Sequence, residues 1–291
     1  MTGTDQSELV IEESRLRNWN FDPIPFRIGP EQAMLYALGL GFGADPVDAA
    51  QLQYVYEDGL KVFPTMAAVL GSPGMWFRDP SSGIDWRKVV HGEMHLDLLE
   101  PLRTDLEMIA TSKVVDVVDK GEGRGAIFTV ERTFTAGDRK IARGRSAYFA
   151  RANGGFGGSP GEPAPKWVQP ERPADVVIDL PTLPQQALIY RLNGDTNPLH
   201  ADPDMARKAG FDRPILHGLC TYGLCARAIC AGFAGDDGDR MTQFGGRFSK
   251  PVYPGETIRV EGWDEGEEIL FEAFCVERDC KVFVNGRARL S

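Results

Sequence analysis

No stretch of this chain has the uninterrupted apolar length of a membrane span. Basic residues are in the minority: 32 lysines and arginines stand against 42 aspartates and glutamates, for a net charge of −10. A nucleic-acid partner would demand a basic face, so that class is excluded, and an anionic membrane surface is disfavoured. The cysteines, Cys220, Cys225, Cys230, Cys275 and Cys280, are odd in number and contain no Cys-x-x-Cys pair. Reduced and mostly buried thiols are the expectation, with neither a disulfide frame nor a redox or metal role. A dinucleotide fingerprint is missing too, which removes a fused dehydrogenase. The polar, acidic start, Met1 to Arg17, has the features of neither a signal nor a transit peptide and reads as a frayed end. The closing Arg289-Leu290-Ser291 is not the Ser-Lys-Leu peroxisomal address, so the expected location is the cytoplasm.

What is present suffices for a large core. With 291 residues, 42% hydrophobic and 25% charged, the chain can fill one large domain or two ordinary ones. Apolar positions at helical spacing run from Pro30 to Gly41. Leu60 to Gly71 reads as a short extended run and then a helix, and Trp76 to Arg87 as a loop. Four strand-like segments follow, about Met94–Pro101, Leu106–Val118, Ala126–Thr135 and Lys140–Ala150. In the third, Phe128, Val130 and Phe134 alternate with Ile127, Thr129, Glu131 and Thr133. Residues 153–173 break the pattern with Gly-Gly-Phe-Gly-Gly and five prolines. The glycines suggest a phosphate cradle, but they neither follow a strand nor open a helix, so the segment reads as a linker. The order then recurs: a helix over Leu183–Asn193, a short polar helix from Pro203 to Lys208, a long apolar helix from Gly218, and four more strands to Leu290. Weak internal echoes, such as His91-Gly92 with His217-Gly218, mark the two halves as copies. An α+β architecture follows, with sheet packed on apolar helix.

The chemistry concentrates between Tyr190 and Gly218. Asp195, Asn197 and His200 lie on one short segment broken by Gly194 and Pro198. A carboxylate and an imidazole on one tight loop suit general acid–base work, with Asn197 orienting the pair or a water. Gly218 opens the apolar helix, so its amide is an unpaired donor at the positive end of the dipole, suited to a developing oxyanion. Singly, each residue has an ordinary reading: Asp195 and Asn197 as turn or capping groups, His200 as a satisfied loop histidine. Together they favour a site. His91-Gly92-Glu93-Met94-His95 has two histidines four apart, but its glutamate is misplaced for a zinc helix and no third ligand is evident, so no metal is expected.

Gly194-Asp195-Thr196-Asn197-Pro198-Leu199-His200 resembles the signature of (R)-specific enoyl-CoA hydratases of the MaoC-like, hydratase 2 type, a family that includes the hydratase part of the peroxisomal multifunctional enzyme type 2. Pro214 to Gly223, Phe248 to Thr257, Tyr36-Ala-Leu-Gly, Tyr56-Glu57 and Val89-Val-His-Gly-Glu are similar to further family segments, and the resemblance covers nearly everything after about residue 20. It implies a double hot dog: two hot-dog units whose antiparallel sheets each wrap an apolar helix. The halves would be 1–152, accommodating the acyl chain, and 174–291, carrying the catalytic loop, joined by 153–173. It implies reversible hydration of a trans-2-enoyl-CoA to the (3R)-3-hydroxyacyl-CoA, without a cofactor, by a homodimer whose partner is the acyl-CoA substrate. Asp195 and His200 would be catalytic, with Asn197 and the Gly218 amide. His91, Gly92, Lys120 and Phe248 match segments that contact the CoA ester; Tyr36, Glu57, Tyr190 and Gly194 complete the implied binding set. The competing readings are a hot-dog acyl-CoA thioesterase and a non-catalytic acyl-CoA-binding module.

Overall fold

A computed structural model describes residues 9–162 and 166–291. Among these residues ten strands form one continuous antiparallel sheet. Ahead of and around the first strand lie helix α1 (Glu13–Arg17), strand β1 (Ile24–Arg27), helix α2 (Pro30–Leu38) and helix α3 (Ala49–Leu52). Then come β2 (Val89–Leu98), β3 (Glu107–Asp119), β4 (Ala126–Ala136) and β5 (Arg139–Ala150). The second half comprises β6 (Val176–Pro181), α4 (Gln186–Tyr190), α5 (Pro203–Lys208), α6 (Gly218–Ile229), β7 (Met241–Phe248), β8 (Thr257–Asp264), β9 (Ile269–Cys275) and β10 (Cys280–Leu290).

The strand order, β1-β3-β4-β5-β2-β7-β10-β9-β8-β6, is a palindrome of two equivalent five-strand units. The units meet where β2 pairs with β7 in a register that sets Met94 opposite Gly246 and Leu96 opposite Phe244. This is the side-by-side double hot dog that the repeated pattern implies. The strands β1 and β6 have no counterpart in the sequence reading; both lie at the two edges of the sheet, and at four and six residues their alternation is too short to stand out.

The helix expected inside each unit is full length only in the second. There α6 is buried along nearly its whole course. A Cβ at Gly223 would come within 2.6 Å of a Leu40 methyl carbon and 3.2 Å of the Tyr36 hydroxyl, so a glycine is required where α6 meets the first half. The first unit instead encloses a single 3₁₀ turn, Pro64–Ala68, every residue of which is buried.

Two expectations need correction. The start of the chain is not frayed from residue 9 onward: Ile11 and Leu16 are buried in a second apolar cluster with Phe77, Val117 and Phe128. Residues 1–8 lie outside the described part. The glycines after Asn153 do form an amide cradle, but the chain supplies its own anion. The Asp119 carboxylate accepts from Gly155 N (2.7 Å), Gly157 N (2.9 Å), Gly158 N (3.3 Å) and Gly121 N (2.8 Å). These four donors hold its carboxyl below the usual carboxylate range, the bond from Gly155 contributing most. Further on, the Trp263 indole donates to Arg172 O at 3.0 Å and the Trp167 indole to Gly286 O at 3.2 Å, so the connecting segment is packed onto the second half.

Candidate active site

The site begins where α4 ends. A 3₁₀ turn, Arg191–Asn193, continues it, and Gly194 then takes φ +109°, a conformation that glycine adopts without a Cβ penalty. The reversed chain presents Asp195, whose Oδ1 accepts from Asn197 N at 3.1 Å. Asn197 Oδ1 accepts in turn from Leu199 N at 3.1 Å and caps the turn Pro198–His200. That cap fixes the turn carrying His200, which is one way for Asn197 to orient the pair, and the oxygen keeps a second lone pair.

His200 is buried, and its Nδ1 lies 2.9 Å from Ile215 O. A carbonyl oxygen only accepts, so Nδ1 carries the proton and Nε2 keeps its lone pair. Burial lowers the His200 pKa, which favours this neutral form. His217, the residue before α6, is buried too, and its Nε2 lies 3.1 Å from Asp195 O. It stacks on His200 with ring centroids 3.7 Å apart and planes at 25°. Burial, then the neighbouring His200, pushes the His217 pKa down to about 4. Donor atoms of Asp195, His200 and His217 all lie within 4.8 Å of one another. Such a trio has the composition of a cation site, but stacked rings send their in-plane lone pairs off side by side, a poor arrangement for converging on one ion.

Sequence reasoning missed His217. Its signals there are one half of an internal echo and a place in the family-like segment Pro214 to Gly223, and nothing in local spacing shows that a residue 22 positions on will bond the Asp195 backbone.

Gly218 follows as the first residue of α6, and among the described residues its N–H has no hydrogen-bond partner. Phe248, at the end of β7, lies across it: a Cβ on Gly218 would sit 3.3 Å from the ring. From Phe248 an aromatic wall crosses into the first half. His91 is 5.0 Å from Phe248 and stacks on Tyr148 at 4.9 Å. Gly92 is the extra residue of a bulge, where the β2–β5 register slips between His91 and Glu93. His91 Nε2 is enclosed without a partner among the described residues, and burial drives its pKa down to about 4. His91 and His95 share a strand, so at about 3.3 Å per residue they are roughly 13 Å apart and cannot grip one ion.

Behind the loop, Tyr190 is buried 5.1 Å from His217 and 6.0 Å from Tyr36. Tyr36 donates to Thr65 Oγ1 at 3.0 Å, whereas Tyr190 OH has no described partner. Buried polar atoms are normally satisfied, so Tyr190 OH, His91 Nε2 and His217 Nδ1, all orphaned in one neighbourhood, mark a surface built for a ligand.

Two residues implied by the resemblance are not brought to this cluster. Glu57 is exposed in the turn after α3, and its carboxylate makes no hydrogen bond or ion pair among the described residues. Lys120 is exposed in the β3–β4 hairpin, held only through its backbone N–H to Gly125 O at 3.0 Å.

The buried histidines set a pH dependence. Between about pH 6.5 and 4 the unfolded chain binds protons that folded His91 and His217 refuse. Stability therefore falls as pH drops through that window, by about 3 kcal/mol per histidine once below it. Urea midpoints at neutral pH and near pH 4.5 should differ less for His91→Gln than for the natural chain. An identical drop in both would refute the assignment.

Comparison with known proteins covers both halves. The MFE-2 hydratase 2 N-terminal domain matches residues 26–152, and the MaoC like domain matches residues 166–285. The chain is 39% identical over 272 residues to the enoyl-CoA hydratase ChsH3 of Mycobacterium tuberculosis, covering 91% of this chain and 93% of that one. It is 37% identical over 249 residues to the peroxisomal multifunctional enzyme type 2 of Mus musculus, covering 83% of this chain but only 33% of that longer protein. The crystal structure of a MaoC-like dehydratase from Phytophthora capsici superposes with a TM-score of 0.83 at 30% identity, covering 97% of this chain and 98% of that one. Among the described residues no helix is long and apolar enough to cross a membrane.

Proposed function

The chain belongs to the MaoC-like, hydratase 2 family, and from that premise we propose that it hydrates trans-2-enoyl-CoA reversibly to (3R)-3-hydroxyacyl-CoA in fatty-acid or related acyl-CoA metabolism. One observation carries this reading: a carboxylate and an imidazole with a free Nε2 lie within 4.8 Å of each other, on a loop whose partner His217 immediately precedes an unpaired helix amide.

The thioester oxygen accepts a hydrogen bond from Gly218 N–H, aided by the positive end of α6. That polarisation draws electron density from C3 and stabilises the enolate-like transition state. A water between Asp195 and His200 forms the new C3–O bond, while one of its protons passes to the pair and a proton from the pair goes to C2. The pair returns to its starting state after each turnover. Asp195 and His217 are tied through the Asp195 carbonyl, so the histidine next to the oxyanion donor also fixes the carboxylate loop. No oxidation state changes overall, so the reaction calls for no redox cofactor. His91, Gly92, Phe248, Tyr190 and Tyr36 line the acyl-CoA path, with Gly194 shaping the loop. The exposed positions of Glu57 and Lys120 suit at most contacts with the outer part of CoA.

A cytoplasmic location is supported by five free cysteines, which suit a reducing compartment. A homodimer is supported by the exposed Leu183, Leu188 and Leu192 around α4.

The direct test supplies crotonyl-CoA to the purified chain, follows loss of enoyl absorbance and determines the configuration at C3. An (R) product is expected, and the same preparation should elute as a dimer on a sizing column. Release of free CoA thiol without hydration would instead establish the thioesterase reading, and ligand binding without turnover the binding-module reading.

A further inference from the structure

On β4 the inward-facing row reads Phe128, Val130, Arg132, Phe134. The arginine stands in a register that is otherwise apolar, and it is only 6% exposed. Its single side-chain hydrogen bond runs from Nη2 to Ala68 O at 2.7 Å. Its Nε is enclosed without a partner, and no carboxylate among the described residues pairs with it. Other buried charges are matched: Glu131 by Arg145 and Lys113, Glu256 by Arg278, Glu272 by Lys281. Burial brings the Arg132 guanidinium down to about 10, which still leaves it charged at neutral pH. The Phe134 ring, 5.5 Å from the guanidinium carbon, offers partial compensation. An enclosed cation without a counter-charge is costly, and retaining one points to a ligand that brings the anion.

Arg132 borders a cavity of about 20 Å³, together with Trp76, Val130, Tyr148 and the hydroxyl-bearing Ser72 and Ser146. That is room for about one water, so a carboxylate would displace it and shift the exposed Ser72 side of the lining. Tyr148 connects it to the proposed reaction centre, through His91 to Phe248 and Gly218. The nucleotide end of CoA is highly polar and stays in solvent, so what enters along this wall is the acyl tail.

We propose that Arg132 is a specificity-determining residue that receives a carboxylate at the far end of the acyl chain, making enoyl-CoA thioesters of dicarboxylic acids the preferred substrates. A guanidinium presents a planar fork of donors that matches a carboxylate, and the Ser72 hydroxyl can add another, whereas that of Ser146 already donates to Met94 Sδ at 3.2 Å. This inference rests on the hydratase reading and names the substrate class for it.

The experiment compares kcat/KM for hexenoyl-CoA with that for dehydroadipyl-CoA, which has the same length but ends in a carboxylate, and repeats the comparison for the eight-carbon pair. The natural chain should favour the carboxylate member by about tenfold or more at one of the two lengths. Arg132→Met should lower that preference by roughly a hundredfold, mainly through KM of the carboxylate substrate, and leave the methyl-ended substrate little changed. Arg132→Lys should restore part of it. Preference for the methyl-ended member at both lengths in the natural chain, a result that needs no variant, overturns the inference. So does an equal loss on both substrates in Arg132→Met, which would make the arginine merely a prop for Ala68. Crotonyl-CoA distinguishes the two failures: if it is hydrated, only the inference falls; if no enoyl-CoA is hydrated, the hydratase reading falls and the inference with it.

Discussion

Asp195→Asn and His200→Gln are each expected to lower kcat by about a hundredfold or more, with KM and the melting temperature close to those of the natural chain. Both changes spare the local fold. An asparagine in place of Asp195 would keep an oxygen to accept from Asn197 N, the bond now made at 3.1 Å. The loop would also keep the backbone carbonyl of that position, which His217 holds. A glutamine in place of His200 can still donate to Ile215 O, the partner that His200 Nδ1 holds at 2.9 Å. What each loses is the ability to take and return a proton at neutral pH. Because the two act on one water, their effects should be far from additive: the double variant should be little worse than either single one. The pH profile adds a sign. His200 works as neutral imidazole and its pKa lies below the usual 6.5, so kcat/KM should fall on the acid side with a midpoint under that value. Turnover of either variant at the natural rate would remove the pair from the mechanism.

Gly218→Pro is expected to cost about a hundred- to a thousandfold in kcat with the helix preserved. Proline is favoured at the first position of a helix, where its missing N–H would have had no intrahelical partner. The residue before a proline must be extended, and His217 already is, with φ −59° and ψ 134°. The substitution therefore deletes the donor with little change in backbone. A ring at this position does crowd Phe248, since even a Cβ would lie 3.3 Å from it. Gly218→Ala controls for that crowding: it keeps the N–H and should lose much less activity than the proline. Equal losses in alanine and proline variants would show that Phe248 packing, and not the amide, is what Gly218 provides.

The reach of sequence reasoning follows the reach of its signals. Eight of the ten strands among the described residues carry alternation or β-branched runs long enough to be legible, whereas the edge strands β1 and β6 have only four and six residues over which to show theirs. Gly155, Gly157 and Gly158 are legible as an amide cradle but their occupant is not, because Asp119 lies more than thirty residues earlier. Asn197 is legible as polar and close to the site, but its use as a cap emerges only from the geometry of Leu199 N.

By itself the sequence determined the elements whose cause is local. The Gly194-to-His200 turn, the helix opening at Gly218, the repeated strand pattern and the acidic, cysteine-poor character all follow from neighbours a few residues apart. Only the tertiary structure decided which distant groups share a space. It stacked His217 on His200, laid Phe248 over Gly218, carried His91 across from the other half, and left Arg132 enclosed without a counter-charge. The reason is physical: backbone conformation responds to adjacent side chains, but burial and electrostatics depend on what the folded sheet brings together across the whole chain.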